Sequence, residues 1–176
     1  MNSASAPSVH SADEVFEPVG RSLRRVLVAV DRFDTQHTAV KLAISLAREH
    51  GAEVHVVHVN ERQIFGRAAF ELETPEEGRQ LVEEAVSEIR REGLQADGRV
   101  VRGLVGQIAA VIIAEASNVG ADEIIIGAKR SDSLFGRRTR ERLLRHSSLP
   151  VVVAPRSSER PATPAHRVAL GGRRAA

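Results

Sequence analysis

Residues 25–51, RVLVAVDRFDTQHTAVKLAISLAREHG, change their hydrophobic period partway along. Arg25–Val30 is a short apolar run of β-branched character that stops at Asp31. From Thr38 onward the apolar positions Val40, Ala43, Ile44 and Ala47 recur at helical spacing. Asp34 and Thr35 are good N-cap residues, and Gly51 stands where helices commonly end in left-handed backbone. The segment therefore reads as a buried strand, a polar turn and an amphipathic helix.

The same alternation continues in the C-terminal direction. Glu53–Val59 reads as a second strand, followed by a loop, NERQIFGRAAFELE, of no clear period. Thr74-Pro75-Glu76-Glu77 is a capping box with proline at the first helical position. Leu81, Val82, Ala85, Val86 and Ile89 form the stripe of that helix, and Gly93 ends it. Val100-Val101 is a short strand. Ile108, Val111, Ile112, Ala116 and Val119 make a third helical stripe, and Ile124–Ile126 a buried strand stopping at Gly127. Arg137–His146 reads as a last helix and Leu149–Val153 as a last strand. Strands separated by helices must pair in parallel through right-handed crossovers. The expected fold is thus an α/β, doubly wound, five-stranded parallel sheet with helices on both faces. Ligands of such sheets sit at the carboxyl ends of the strands, where the strand order reverses.

Composition narrows the function classes. Hydrophobic residues at 42% and charged residues at 27% describe a globular chain, and the 176 residues suffice for one ordinary domain. Cysteine is absent, which excludes disulfides and thiolate chemistry. His55 and His58 lie three apart on a strand, point to opposite faces and cannot share a metal, so no metal site is expected. The sequence has no nucleophile-elbow motif and no complete Walker loop, so catalytic machinery is not visible. The N-terminus lacks the apolar core of a secretory signal, and the apolar run Ile108–Ala114 is too short to span a bilayer. A cytoplasmic protein with no membrane partner is expected. Residues 1–22 and the basic 156–176 lack periodicity and are expected to be disordered tails flanking a domain over 23–155.

Four segments carry a resemblance: VLVAVDRFDTQHTAVKLAISLA, GAEVHVVHVNE, GADEIIIGAKRSDS and RERLLRHSSLPVVVAP. Together, over roughly residues 24–155, they resemble the universal stress protein family. The resemblance implies the Rossmann-like architecture of the adenine nucleotide α-hydrolase type, a stress-response regulatory or scaffolding role, and a site for ATP or another adenine nucleotide. It places Ala29, Val30, Asp31 and Val59 near the adenosine, with Asp31 able to accept a ribose hydroxyl. Asp31 could equally cap the turn before the first helix, and Val59 could be an ordinary strand residue.

In the nucleotide-binding branch of the family, the strand ending at Ile126-Gly127 runs into a loop of the form Gly-x2-Gly-x9-Gly-Ser/Thr. Bare glycines let backbone amides approach phosphate. In this chain the second glycine position is Arg130, and the Gly-Ser pair falls at Arg137-Arg138, with Gly136 the only later glycine before them. Basic residues crowd the same stretch, Lys129, Arg130, Arg137 and Arg138 among them, and guanidinium groups can grip phosphate in place of lost amides. A solvated basic face is the plain alternative.

Two further functions stay open: a weak ATPase or phosphotransfer enzyme using the same pocket, and a nucleic-acid-associated protein acting through the basic loop and tail. Five Phe with no Tyr or Trp argue against base stacking along a single strand. The last strand, Val151-Val152-Val153, is uncharged. An edge of that kind needs cover, and the resemblance implies a homodimer paired through it.

Overall fold

The computed structural model describes residues 22–32, 34, 37–127 and 134–155. The chain runs β1 (Arg25–Val30), α1 (Thr38–His50), β2 (Glu53–Phe65), β3 (Ala68–Glu71), α2 (Pro75–Arg91), β4 (Ala96–Leu104), α3 (Ile108–Asn118), β5 (Glu123–Ile126), α4 (Leu134–His146) and β6 (Val151–Val153). Five strands are parallel in the order β4-β2-β1-β5-β6, and β3 pairs antiparallel with the far end of β2. The doubly wound α/β architecture expected from the alternation is present, with six strands rather than five.

Each face of the sheet has its own core. Val26, Val28, Val54, Val56 and Ile125 pack against α1 and α2 through Val40, Ala43, Val82 and Ile89. Leu27, Val57, Val59, Ile124 and Ile126 pack against α3 and α4 through Ala109, Ile112, Ala116 and Leu143. The central strands are apolar on both faces over most of their length, at Val26–Val30 and Ile124–Ile126, because both of their faces are covered. Consecutive strand residues consequently belong to different cores.

The helix signals in the sequence act as expected, with one change. Thr74 Oγ1 accepts from the Glu77 amide at 3.2 Å, and Glu77 Oε2 accepts from the Thr74 amide at 2.7 Å. The Thr74 amide and then its hydroxyl, both donating to the Glu77 carboxylate, hold that carboxyl below its ordinary range. At α1 the cap position itself is His37, in left-handed backbone at φ 51°. Asp34 still caps the helix, from one turn earlier. Its carboxylate accepts from the amides of Thr38 and Ala39, each at 3.1 Å. Thr35 lies outside the described residues.

The main departure is at residues 60–73, which the lack of period suggested was loop. β2 continues to Phe65, turns at Gly66-Arg67 and returns as β3. Gly66 has φ 61°, the conformation a two-residue hairpin turn demands of its first loop residue. Arg62 pairs with Leu104 of β4 and also with Glu71 of β3. The hairpin therefore lies on the β1 side of β2, beyond the end of β1. β4 also runs longer than the Val100-Val101 strand expected from sequence, because its alternation of charged and small residues suits a sheet edge. Among the described residues, no helix is long and apolar enough to cross a membrane.

Candidate functional site

The strand order reverses between β1 and β5. β1 leads into α1 on one face of the sheet, and β5 leads towards α4 on the other. The two chain segments diverge and open a crevice at the carboxyl ends of these strands. A cavity of about 110 Å³ lies there. β1 contributes Ala29 and Val30 to its lining, followed by Asp31. β2 contributes Val59 and Glu61, and the end of β5 contributes Ile126 and Gly127. The wall is formed by Ile108 and Ile112 of α3 and by Thr139, Arg140 and Leu143 of α4.

Six of the residues expected from sequence thus meet in one place: Ala29, Val30, Asp31, Val59, Ile126 and Gly127. Lys129 and Arg130 lie outside the described residues, and Gly136 falls within α4. Arg137 and Arg138 are exposed on α4 and do not line the cavity, and Arg137 Nε lies 3.4 Å from Glu141 on its own helix. The helical repeat explains the difference. Leu143 is buried against the sheet, so Thr139 and Arg140, a turn earlier, face the same way. Counting against a loop motif could not reveal that phase. The buried Leu143 could have.

The glycine at 127 has a steric role that is independent of any ligand. A Cβ there would stand 3.2 Å from Asp34 Oδ2. The end of β5 thus abuts the carboxylate that caps α1. The amides of Thr38 and Ala39 at the start of α1 are already bonded to Asp34, and the described lining includes the side-chain donors Thr139 and Arg140.

A second polar arrangement holds the rim. His58 Nδ1 donates to the Val30 carbonyl oxygen at 2.9 Å, and its Nε2 is hydrogen-bonded to Glu73. Arg32 Nη1, just past Asp31, donates to the Leu72 carbonyl oxygen at 3.1 Å. The base of the hairpin is therefore tied to the end of β1 at two adjacent residues, Leu72 and Glu73. His55 bonds Asp97 and Glu115, towards α3, whereas His58 points towards α2. Among the described residues no group of three or more His, Asp or Glu side chains could hold a metal ion.

Comparison with known proteins extends this geometry. No curated protein matches the chain. A universal stress protein family protein from Burkholderia pseudomallei superposes with a TM-score of 0.62 at 26% identity, covering 78% of this chain and 99% of that one. The universal stress protein from Archaeoglobus fulgidus, solved in complex with dAMP, gives 0.57 at 25% identity over 76% of this chain and 99% of that one. A family member from Arabidopsis thaliana shares the fold at 0.52 and 18% identity, over 77% and 93% of the two chains. The model of the universal stress protein family matches residues 22–155, every strand and helix described above. With that match and the reversal of strand order at β1 and β5, the chain belongs to the universal stress protein family.

Proposed function

We propose that this chain is a stress-response binding module that holds an adenine nucleotide in the crevice between β1 and β5. The observation that carries the reading is the convergence of an apolar floor, a carboxylate and an arginine at the switch point of the sheet, in a fold whose Archaeoglobus relative holds dAMP. Val30, Val59 and Ile126 suit a purine, and Asp31 can accept a ribose hydroxyl. Arg140 and Thr139 provide donors for phosphate. The cavity of about 110 Å³ is well under the roughly 300–1,000 Å³ of typical ligand sites. It suits a base, with the phosphates lying along α4. Calorimetric titration of the full chain with AMP and ATP tests the reading. Binding of either that falls by about tenfold in Asp31→Ala is expected, as for one hydrogen bond to a charged group. No binding at millimolar ligand would overturn the reading.

The assembly proposal rests on β6. Among the described residues, β6 pairs on one side only, with β5, and Val151, Val152 and Val153 are each half-buried and uncharged. Antiparallel pairing with the same strand of a second chain would satisfy that edge across a two-fold axis.

A further inference from the structure

The hairpin carries apolar side chains that the described residues leave exposed. Phe65, Phe70 and Leu72 are 61%, 54% and 44% exposed. Their position relative to the crevice follows from the pleat. Side chains alternate along a strand, so Val57, Val59, Glu61, Gln63 and Phe65 of β2 share one face. Val57, Val59 and Glu61 line the crevice. Gln63 then stands roughly 7 Å beyond Glu61, and Phe65 roughly 13 Å, at the usual rise of a strand.

β3 brings its own residues to the same face. Phe70 pairs with Gln63 and Ala68 with Phe65, while the Leu72 amide donates to the Glu61 carbonyl oxygen at 3.0 Å. β3 also lies on the β1 side of β2, so Leu72 and Phe70 rise above the end of β1, where Asp31 marks the crevice mouth. The Arg32 bond to the Leu72 carbonyl fixes this placement. The outcome is one continuous surface, leading from the crevice over Leu72 to two phenyl rings.

Those rings brace each other edge to face, with centroids 6.3 Å apart and planes at 60°. The chain has five Phe, no Tyr and no Trp, so two aromatics on one exposed strand pair are a concentration. No charged residue stands on this face between Glu61 and the turn, and Gln63 beside Phe70 offers an amide. Apolar rings beside an uncharged donor and acceptor are the chemistry that stacks a nucleobase.

We propose that the β2–β3 hairpin is an aromatic subsite continuous with the crevice, and that it takes the second base of a dinucleotide whose first base lies at Val59 and Ile126. This rests on the adenine-nucleotide reading of the crevice. Phe70 provides the stacking surface, Phe65 braces it, and Leu72 bridges the two base positions.

The absence of tryptophan supplies the test. In the Phe70→Trp chain the indole is the only one, so its fluorescence reports on this subsite alone. Diadenosine triphosphate is titrated against ATP, which has the same three phosphates but lacks the second adenosine. The dinucleotide is expected to quench the indole and ATP to leave it unchanged. By calorimetry the wild-type chain should bind the dinucleotide about tenfold or more tighter than ATP, the range of one base–aromatic stack. Phe70→Ala should remove that advantage and leave ATP affinity unaltered, and Phe65→Ala should reduce it. Equal affinity for the two ligands, or equal weakening of both by Phe70→Ala, overturns the subsite while leaving the crevice reading intact. Failure of both ligands to bind overturns both readings. Because both phenyl rings are exposed, the variants are expected to fold, and far-ultraviolet circular dichroism verifies it.

Discussion

His58 Nε2 and the Glu73 carboxylate are hydrogen-bonded in the interior, with side chains only 5% and 6% exposed. The other ring nitrogen holds the carbonyl of Val30, at the lip of the crevice. Glu73 directly precedes Thr74, the cap of α2. One imidazole thus joins the floor of the candidate site, the exit of the hairpin and the start of a helix. Removing one partner of a buried pair strands the other. Glu73→Ala leaves the buried Nε2 without its partner and is expected to cost about 1–3 kcal/mol, whereas Glu73→Gln, which keeps a hydrogen-bonding group near Nε2, should cost less. Urea unfolding followed by circular dichroism measures both, and equal losses in the two variants would mean that the carboxylate itself is required, since neither the size nor the amide hydrogen bond of Gln replaces it.

The cap at α1 predicts a smaller effect. Asp34→Ala frees the amides of Thr38 and Ala39 and should cost roughly 0.5–2 kcal/mol, and Asp34→Asn should recover most of it. Thermal unfolding of the two variants checks the order.

Gly98 lies where α2 presses on the edge strand. A Cβ there would stand 2.7 Å from the Val56 carbonyl oxygen and 2.8 Å from Val82 Cγ1. Neither β2 nor α2 can withdraw without disturbing its own packing, so Gly98→Ala is expected to cost about 1–3 kcal/mol by overpacking. An unchanged urea midpoint would show that α2 yields more readily than this contact implies.

The phase of α4 separates its arginines. Arg140→Ala should weaken AMP binding by about 1.5–3 kcal/mol, the range for hydrogen bonds to charged groups. Arg137→Ala and Arg138→Ala, on the exposed side, should have a smaller effect. Isothermal titration of the three variants decides it, and the reverse order would move the phosphate contacts to the outer face of the helix.

For assembly, Val152→Lys should convert the expected dimer to monomer by placing a charge in the shared strand pair. Analytical ultracentrifugation at micromolar concentration reads the outcome. A wild-type monomer, or a Val152→Lys dimer, would refute pairing through β6.

The alternation of periods in the sequence determined the layer architecture and the places where a ligand would meet it. Arg25–Val30, Ile124–Ile126 and the stripe of α1 carry their structure in local hydrophobic spacing, which needs no partner to be read. Asp31 and Gly127 were legible as residues of the crevice because the ends of those strands are marked in the chain itself. Three things were decided only by tertiary structure. The hairpin arms at residues 61–71 are largely exposed, so their pairing, and not a buried apolar run, makes them strands, although Gly66 between two alternating segments was a usable signal. That Arg140 rather than Arg137 or Arg138 faces the crevice depends on how α4 rotates to bury Leu143, a contact with the sheet that no loop motif encodes. The pairing of His58 with Glu73, fifteen residues apart, exists because β3 folds back and brings Glu73 to β2, where both side chains are buried and Nε2 finds its partner in the carboxylate.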